Sequence, residues 1–233
     1  MVMPMIETPT HFPSRALISW SGGKDCNFAL YETLKAGQIK IEALVATIIE
    51  GSQRLSAHGV ELALIEAQAR AIGIPLELVW VPKNPSNPVY EAATLAQWRA
   101  HHDAGLRHVI YGDLFLQDIR DYRDALLARG SMTGLYPLWM RDTKTLARDV
   151  IKAGLKAILV CVDTTRLDAS FAGRTYDEQL LADLPDHIDP CGENGEFHTF
   201  VWNGPHFQHP VGFHKGEILR DEKYAFCNLI LKV

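Results

Sequence analysis

A short polar stretch, Ser21-Gly22-Gly23-Lys24-Asp25, separates an apolar run from a segment with helical periodicity. Glycines let backbone N–H groups approach an anion without interference from a Cβ atom. The first turn of a helix adds unpaired N–H donors and the positive end of the helix dipole. With a hydroxyl and an ammonium group beside them, these donors predict a phosphate-binding loop that is neither a Walker A motif nor G-x-G-x-x-G. A tight glycine turn with a solvated Lys-Asp pair would explain the same residues.

A second polar stretch, Cys191-Gly192-Glu193-Asn194-Gly195-Glu196, could also take part in chemistry. Two glycines around Glu-Asn allow a tight turn with positive φ, and that turn presents two carboxylates and an amide. A β-turn with solvated acidic residues is the alternative reading. Cys191 could be a nucleophile, but no neighbouring feature of the sequence predicts the lowered thiol pKa that this role requires.

The strands and helices predicted for the first half of the chain indicate an α/β fold. Apolar runs typical of buried strands cover residues 16–20, 41–49, 76–81 and 107–113, and a helical pattern follows each of them, the third of these covering residues 87–103. Strands that alternate with helices form a parallel sheet with helices on both faces. Ligands bind at the carboxyl ends of such strands, which is where the stretch that begins at Ser21 lies.

The second half of the chain has a different pattern. A helix over 142–153, a strand over 156–163 and a helix around 174–184 come before a tail of strands and turns. Small residues cluster between these halves. We therefore predict a doubly wound parallel domain over residues 14–133 and a smaller α+β domain, suited to substrate binding, over residues 134–233.

Composition excludes several classes of protein. The formal net charge is -5, from 23 basic and 28 acidic residues, so no overall positive field indicates a nucleic-acid partner. The four cysteines are far apart and form no C-x-x-C pair, which argues against a zinc knuckle or a disulfide framework. No apolar stretch is long enough to cross a membrane, and the first residues lack the apolar core of a signal peptide. We expect a cytoplasmic protein without a membrane partner.

Several motifs together resemble a known family. SGGKDC resembles the S-G-G-x-D-S signature of the PP-loop ATP pyrophosphatases. The stretch GSQRLSAHGVELALIEAQARAIGIPL, the strand end YGDL, PLW, and DPCGENGEFHTFVWNGP narrow this resemblance to the diphthine–ammonia ligase family. The resemblance runs from Ser14 onward and implies a PP-loop, HUP-like fold.

The resemblance implies an ATP site. By analogy with the superfamily, residues 21–25 would hold the β and γ phosphates, and Cys26 replaces the second serine of the signature, which weakens one phosphate contact. Thr47 would lie where the fold places backbone contacts to adenine, His58 would lie in a loop that covers the nucleotide, and Gly112 and Asp113 would face the same crevice. Asp25 and Asp113 are the expected ligands of Mg²⁺.

The resemblance also implies a reaction. ATP would activate a carboxylate substrate as an acyl adenylate with release of pyrophosphate, and ammonia would then displace AMP. Lys24, Asp25, Glu193 and Glu196 are the expected catalytic residues. The expected substrate-binding residues are Gly192, Glu193, Asn194, Gly195 and Glu196.

Three questions stay open at this stage. The acid would be diphthine, a modified histidine on a translation elongation factor, only in an archaeal or eukaryotic source. A PP-loop enzyme that modifies tRNA and an ATP-binding sensor of the universal-stress-protein type are the alternative functions. The oligomeric state is also open, with a homodimer as one option.

Overall fold

The computed structural model describes residues 14–52, 54–55 and 59–232. Its first sheet has six strands, and five of them run parallel in the order β4-β2-β1-β5-β6. The sixth strand, β3, pairs antiparallel with the end of β2 and lies beyond the end of β1. The strands of this sheet are β1 (Ser14–Ser19), β2 (Ile39–Ile49), β3 (Arg54–Leu55), β4 (Leu76–Val81), β5 (His108–Ile110) and β6 (Thr133–Leu135).

Helices cover both faces of this sheet. Alternate residues of β1 take part in two separate apolar clusters: Ile18 packs with residues of α1 and α2, whereas Leu17 packs with residues of α3 and α4. The four helices are α1 (Lys24–Ala36), α2 (Leu62–Ile72), α3 (Asn87–Asp103) and α4 (Gln117–Arg129). The chain therefore winds to one face from β1 and to the other from β5, which makes the gap between these strands the switch point where ligands bind in such sheets.

The second sheet is antiparallel. Its central strand β7 pairs with β9 on one side and with β11 and β8 on the other, and β10 lies outside β11. Its strands are β7 (Lys156–Asp163), β8 (Thr175–Tyr176), β9 (Phe197–Asn203), β10 (Phe213–Arg220) and β11 (Tyr224–Leu231). Two more helices, α5 (Thr143–Lys152) and α6 (Glu178–Asp183), and a short 3₁₀ helix at Ala169–Phe171 complete the described elements.

One apolar core joins the two sheets. Buried residues of β1, α1 and α2 belong to the same cluster as buried residues of β7, β9 and β11. The second sheet thus packs on the face of the parallel sheet that α1 and α2 cover. The predicted boundary between residues 133 and 134 falls inside β6, and the division into two domains stays a prediction.

The predicted α/β class with a parallel doubly wound sheet is confirmed. The strands at 76–81 and 156–163 and the helix at 87–103 have the predicted bounds. The helix expected around 174–184 is shorter, because β8 occupies its first residues. None of the helices in the described part of the chain combines the length and the hydrophobicity that crossing a membrane requires.

Candidate active site

A polar cavity of about 300 Å³ opens at the carboxyl ends of β1 and β5. Both polar stretches that the sequence singles out contribute to its wall. We call them the first loop (residues 21–26) and the second loop (residues 191–196). The predicted site residues that line the cavity are Ser21, Gly23, Lys24, Asp25, Cys26, Thr47, Gly112, Asp113, Gly192 and Glu193. His58 lies outside the described residues.

Close packing requires glycine at two positions, one within the first loop and one in the segment that contacts it. Gly22 has a φ of +74°, and a Cβ atom there would lie 2.6 Å from Ile65 Cδ1. A Cβ atom on Gly112 would lie 2.7 Å from the backbone of Asp25 and of Cys26. The segment that follows β5 therefore touches the backbone of the first loop directly.

Buried amide side chains hold the carbonyl groups of the first loop. Gln68 Nε2 donates to Gly22 O at 3.0 Å and to Val201 O at 2.6 Å, while Trp20 Nε1 donates to Gln68 Oε1 at 2.8 Å. Asn27 Nδ2 donates to Gly23 O at 2.8 Å. Gln68 and Asn27 are fully buried, so these bonds fix the loop against α2 and the second sheet.

The second sheet also contacts the first loop through backbone groups. Val201 N donates to Gly22 O at 2.9 Å, and Lys24 N donates to Thr199 Oγ1 at 3.0 Å. No described side chain caps the start of α1 at Gly23. The start of this helix is therefore held by β9 and faces the cavity.

Lys24 forms the Lys-Asp pair that the sequence offers as an alternative, but the lysine is buried, and it also contacts the second loop. Its Nζ donates to Asp25 Oδ1 at 2.9 Å, to Asp25 Oδ2 at 2.8 Å and to the carbonyl of Cys191. The rings of Tyr176 and Phe197 lie 5.6 and 5.7 Å from the same atom. In this structure Lys24, only 2% exposed, joins the first loop to the second, and its contact with phosphate stays a prediction.

Asp113 pairs with an arginine of α4. Arg123 Nε lies 2.6 Å from Asp113 Oδ2, and Arg123 Nη2 donates to Asp113 Oδ1 at 3.2 Å. The guanidinium lies 4.5 Å from the centre of the Tyr111 ring. This ion pair forms the cavity wall on the side of β5.

The described residues do not form a prebuilt magnesium site. The carboxylates of Asp25 and Asp113 are each paired with a cationic side chain. Within the described ranges, no group of three or more His, Cys, Asp or Glu side chains is arranged to hold a metal ion. The magnesium ligands stay a prediction, and we assign no chemical step to the metal.

The second loop brings one of its two glutamates to the cavity. Glu193 Oε1 accepts a hydrogen bond from Leu114 N at 2.9 Å, directly after Asp113. Burial, together with the nearby Asp25 and Asp113 carboxylates, raises the pKa of Glu193 to about 7, although the Leu114 N–H and Lys24 oppose this shift. A carboxyl group that titrates near neutral pH can exchange a proton with a ligand in the cavity.

Glu196 instead stabilises the turn of its own loop. It is 2% exposed, and its Oε1 accepts from Asp189 N at 3.3 Å and from Asn194 Nδ2 at 3.1 Å. Asn194, Gly195 and Glu196 are not among the described residues that line the cavity, and neither is Gly22. The catalytic and substrate-binding roles expected for these residues stay predictions.

Both cysteines of the two loops are poor nucleophiles in this structure. Cys26 Sγ is buried and donates to Gly23 O at 3.2 Å, and burial raises the pKa of its thiol. Burial also raises the pKa of the Cys191 thiol to about 12, although Lys24 opposes this shift. Both thiols stay protonated at neutral pH, which agrees with the lack of any activating feature in the sequence.

Several residues of the cavity wall have no role among those expected from the sequence. They include Trp20, Tyr90, Tyr111, Arg123, His198 and Thr199. Burial and the nearby Lys24 lower the pKa of His198 to about 4, so its ring is neutral at physiological pH. Tyr111 directly precedes the Gly-Asp pair and could have been found from that position. Arg123 carries no local signal, because it lies within an ordinary polar helix.

Comparison with known proteins gives the family. The model described as diphthamide synthase N-terminal domain matches residues 14–121, and that of the diphthamide synthase C-terminal domain matches residues 142–232. A fission yeast (Schizosaccharomyces pombe) protein named diphthine–ammonia ligase is 29% identical over 99 residues, which cover 41% of this chain and 16% of the relative. The human protein of the same name is 30% identical over 95 residues, covering 39% of this chain and 36% of the relative.

A solved structure described as a predicted subunit of tRNA methyltransferase from Methanocaldococcus jannaschii aligns with 76% of this chain and 94% of its own. Its TM-score of 0.39 and its 14% identity are too low to establish a shared fold. The two family models, in contrast, match nearly the whole described chain in the expected order. The chain belongs to the diphthamide synthase family.

Proposed function

We propose that this chain is an ATP-dependent ligase that joins ammonia to a carboxylate, with release of AMP and pyrophosphate. The acid is of the diphthine type, as the names of the matched relatives suggest. The matched stretch spans 16% of the yeast relative and 36% of the human one, so the activity is inferred from the site together with the family. The cytoplasmic location and the homodimer remain predictions.

One observation carries this proposal: the two loops meet in a single cavity at the switch point of the parallel sheet. Lys24 in the first loop donates to the carbonyl of Cys191 in the second, across 167 residues of sequence. Glu193 reaches Leu114 at the end of β5. A helix start suited to phosphate and a titratable carboxyl group thus lie in one cavity, which supports a two-step amide synthesis there.

In the first step, a carboxylate oxygen of the acid attacks the α phosphorus, and the bond to the pyrophosphate oxygen breaks. The start of α1 and its glycines receive the negative phosphates, because backbone N–H groups and the helix dipole favour anions there. The loop is held by Gln68, Asn27 and Thr199 before any ligand arrives. Such preorganised donors need no rearrangement as charge develops on the leaving group.

In the second step, ammonia attacks the acyl carbon and AMP leaves with the bonding electron pair. The nitrogen must lose a proton to become a neutral amide. Glu193 is the candidate acceptor of this proton. With a pKa of about 7, a substantial fraction of its carboxyl group is ionised at neutral pH and can accept a proton. Lys24 and Asp25 keep the two loops together during both steps.

The products test the proposal. The chain is incubated with ATP, ammonium chloride and an elongation factor that carries diphthine, and the reaction is followed by phosphorus NMR. We expect AMP and pyrophosphate to accumulate in equal amounts. Without ammonia, labelled pyrophosphate should enter ATP, because the acyl adenylate forms reversibly. ADP and orthophosphate as primary products would contradict the proposal.

A further inference from the structure

The cavity contains two cationic side chains among its described lining residues, those of Lys24 and Arg123. A lysine ammonium has three N–H groups. All three of Lys24 face acceptors, because Nζ donates to both oxygens of Asp25 and to the carbonyl of Cys191. Lys24 therefore has no donor left for a ligand while these bonds last.

Arg123 differs in this respect. Its guanidinium has five N–H groups in a rigid fork. Asp113 lies along the edge formed by Nε and Nη2, where Nη2 donates a hydrogen bond and Nε is buried within ion-pair distance. Within the described part of the chain, Nη1 donates no hydrogen bond. The side chain is 28% exposed, and the guanidinium carbon lies over the Tyr111 ring at 4.5 Å from its centre.

Because acidic side chains offset the positive charges of the cavity wall, Arg123 is the cationic side chain available to bind an anion. The carboxyl groups of Asp25, Asp113 and Glu193 line the same cavity as the two cations, so the wall has no excess of positive charge. A polyphosphate that enters needs donors that are charged and still unpaired. Arginine suits this role because its fork can bind two phosphate oxygens at once.

We infer that Arg123 binds a phosphate group of the nucleotide through Nη1 and the remaining N–H of Nη2. Asp113 occupies the other edge of the guanidinium, and the Tyr111 ring packs against it. Lys24 is then a positioning residue that connects the two loops. The inference rests on the proposed function only in taking a nucleotide as the ligand.

Calorimetric titration of the full chain tests this inference, with pyrophosphate and AMP as separate probes in magnesium-free buffer. Arg123→Gln should bind at least one probe ten- to a hundredfold more weakly, since a charge-assisted pair is lost. Arg123→Lys should lie between this variant and the wild type, because lysine keeps the charge but not the fork. Weaker binding of AMP would indicate that Arg123 contacts the α phosphate, and weaker binding of pyrophosphate would indicate that it contacts the leaving group.

Arg129→Gln is the matched control. It lies on the same helix, it is 54% exposed, and its Nη1 pairs with Glu91 at 2.5 Å outside the cavity. Its affinity for both probes should stay within twofold of the wild type. Melting curves of every variant show whether the fold is retained.

Asp113→Asn separates an anion-binding role from a structural one. Removing this carboxylate frees the arginine fork and one negative charge leaves the wall, so pyrophosphate should bind as tightly as before or several-fold more tightly. If the pair served only the fold, Arg123→Gln and Asp113→Asn would weaken binding alike, and that result overturns the inference.

Two further outcomes distinguish the inference from the proposed function. Binding of both probes by Arg123→Gln within twofold of the wild type overturns the inference and leaves the proposed function intact. Failure of the wild-type chain to bind either probe or ATP overturns both.

Discussion

Replacing Gln68 with leucine should remove the main support of the first loop. The amide of Gln68 takes part in three hydrogen bonds, to Trp20, Gly22 and Val201. After the substitution Gly22 O keeps the bond from Val201 N at 2.9 Å, whereas the Trp20 N–H and the Val201 carbonyl lose their partner. A buried polar group without a partner costs about 1–3 kcal/mol, and leucine partly offsets this loss by burying apolar surface. We expect the free energy of unfolding to fall by about 3 kcal/mol.

Equilibrium urea denaturation measures this change, because a shift in midpoint at constant slope reports stability alone. Thr33→Val is a matched control: its buried hydroxyl donates only to the carbonyl of Ala29 within α1, so its removal should cost less than about 1 kcal/mol. The Gln68 variant should also lose affinity for ATP, since Gly22 O keeps only one of its two hydrogen bonds. Equal stabilities of the two variants would refute the role of Gln68.

Gly112→Ala should abolish most ATP binding, because its Cβ would lie 2.7 Å from the backbone of the first loop; Gly204→Ala, whose Cβ would have its nearest contact at 3.4 Å, should bind ATP normally in the same titration. Glu193→Gln should change how stability depends on pH. Because burial raises the pKa of Glu193 from 4.5 to about 7, the unfolded chain loses this proton first, and the wild type should lose stability as the pH rises across that interval. Thermal melts at pH 5 and pH 8 should show a smaller difference for Glu193→Gln; an identical difference would contradict this assignment.

Much of the fold could be predicted because its signals are local. The strand at 76–81 and the helix at 87–103 follow from runs of apolar residues and from a proline near the helix start. Three strands were missed for the opposite reason. The two residues of β3 lie in a polar loop, β6 includes a glycine within the stretch that suggested a domain boundary, and β8 lies where a helix was expected. Short strands of this kind form only because a neighbouring strand supplies their hydrogen bonds.

The candidate site was predictable in its residues but not in its pairings. The glycines and charges of the first loop stand out in the sequence, yet nothing local indicates that Lys24 contacts the Cys191 carbonyl or that Arg123 contacts Asp113. Gln68 is among the buried residues of α2. Its bonds to Gly22 and Val201 depend on a strand 133 residues later, which no pattern within α2 can reveal.

The contact between the first loop and β9 has a consequence for protein synthesis. Lys24 N bonds to Thr199 across 175 residues, and Gly22 O bonds to Val201. A ribosome that has completed the parallel sheet has not yet made the strand that holds this loop. A fragment that ends after β6 would therefore lack the contacts that hold the first loop. The ATP site proposed above would be complete only after β9 has been translated.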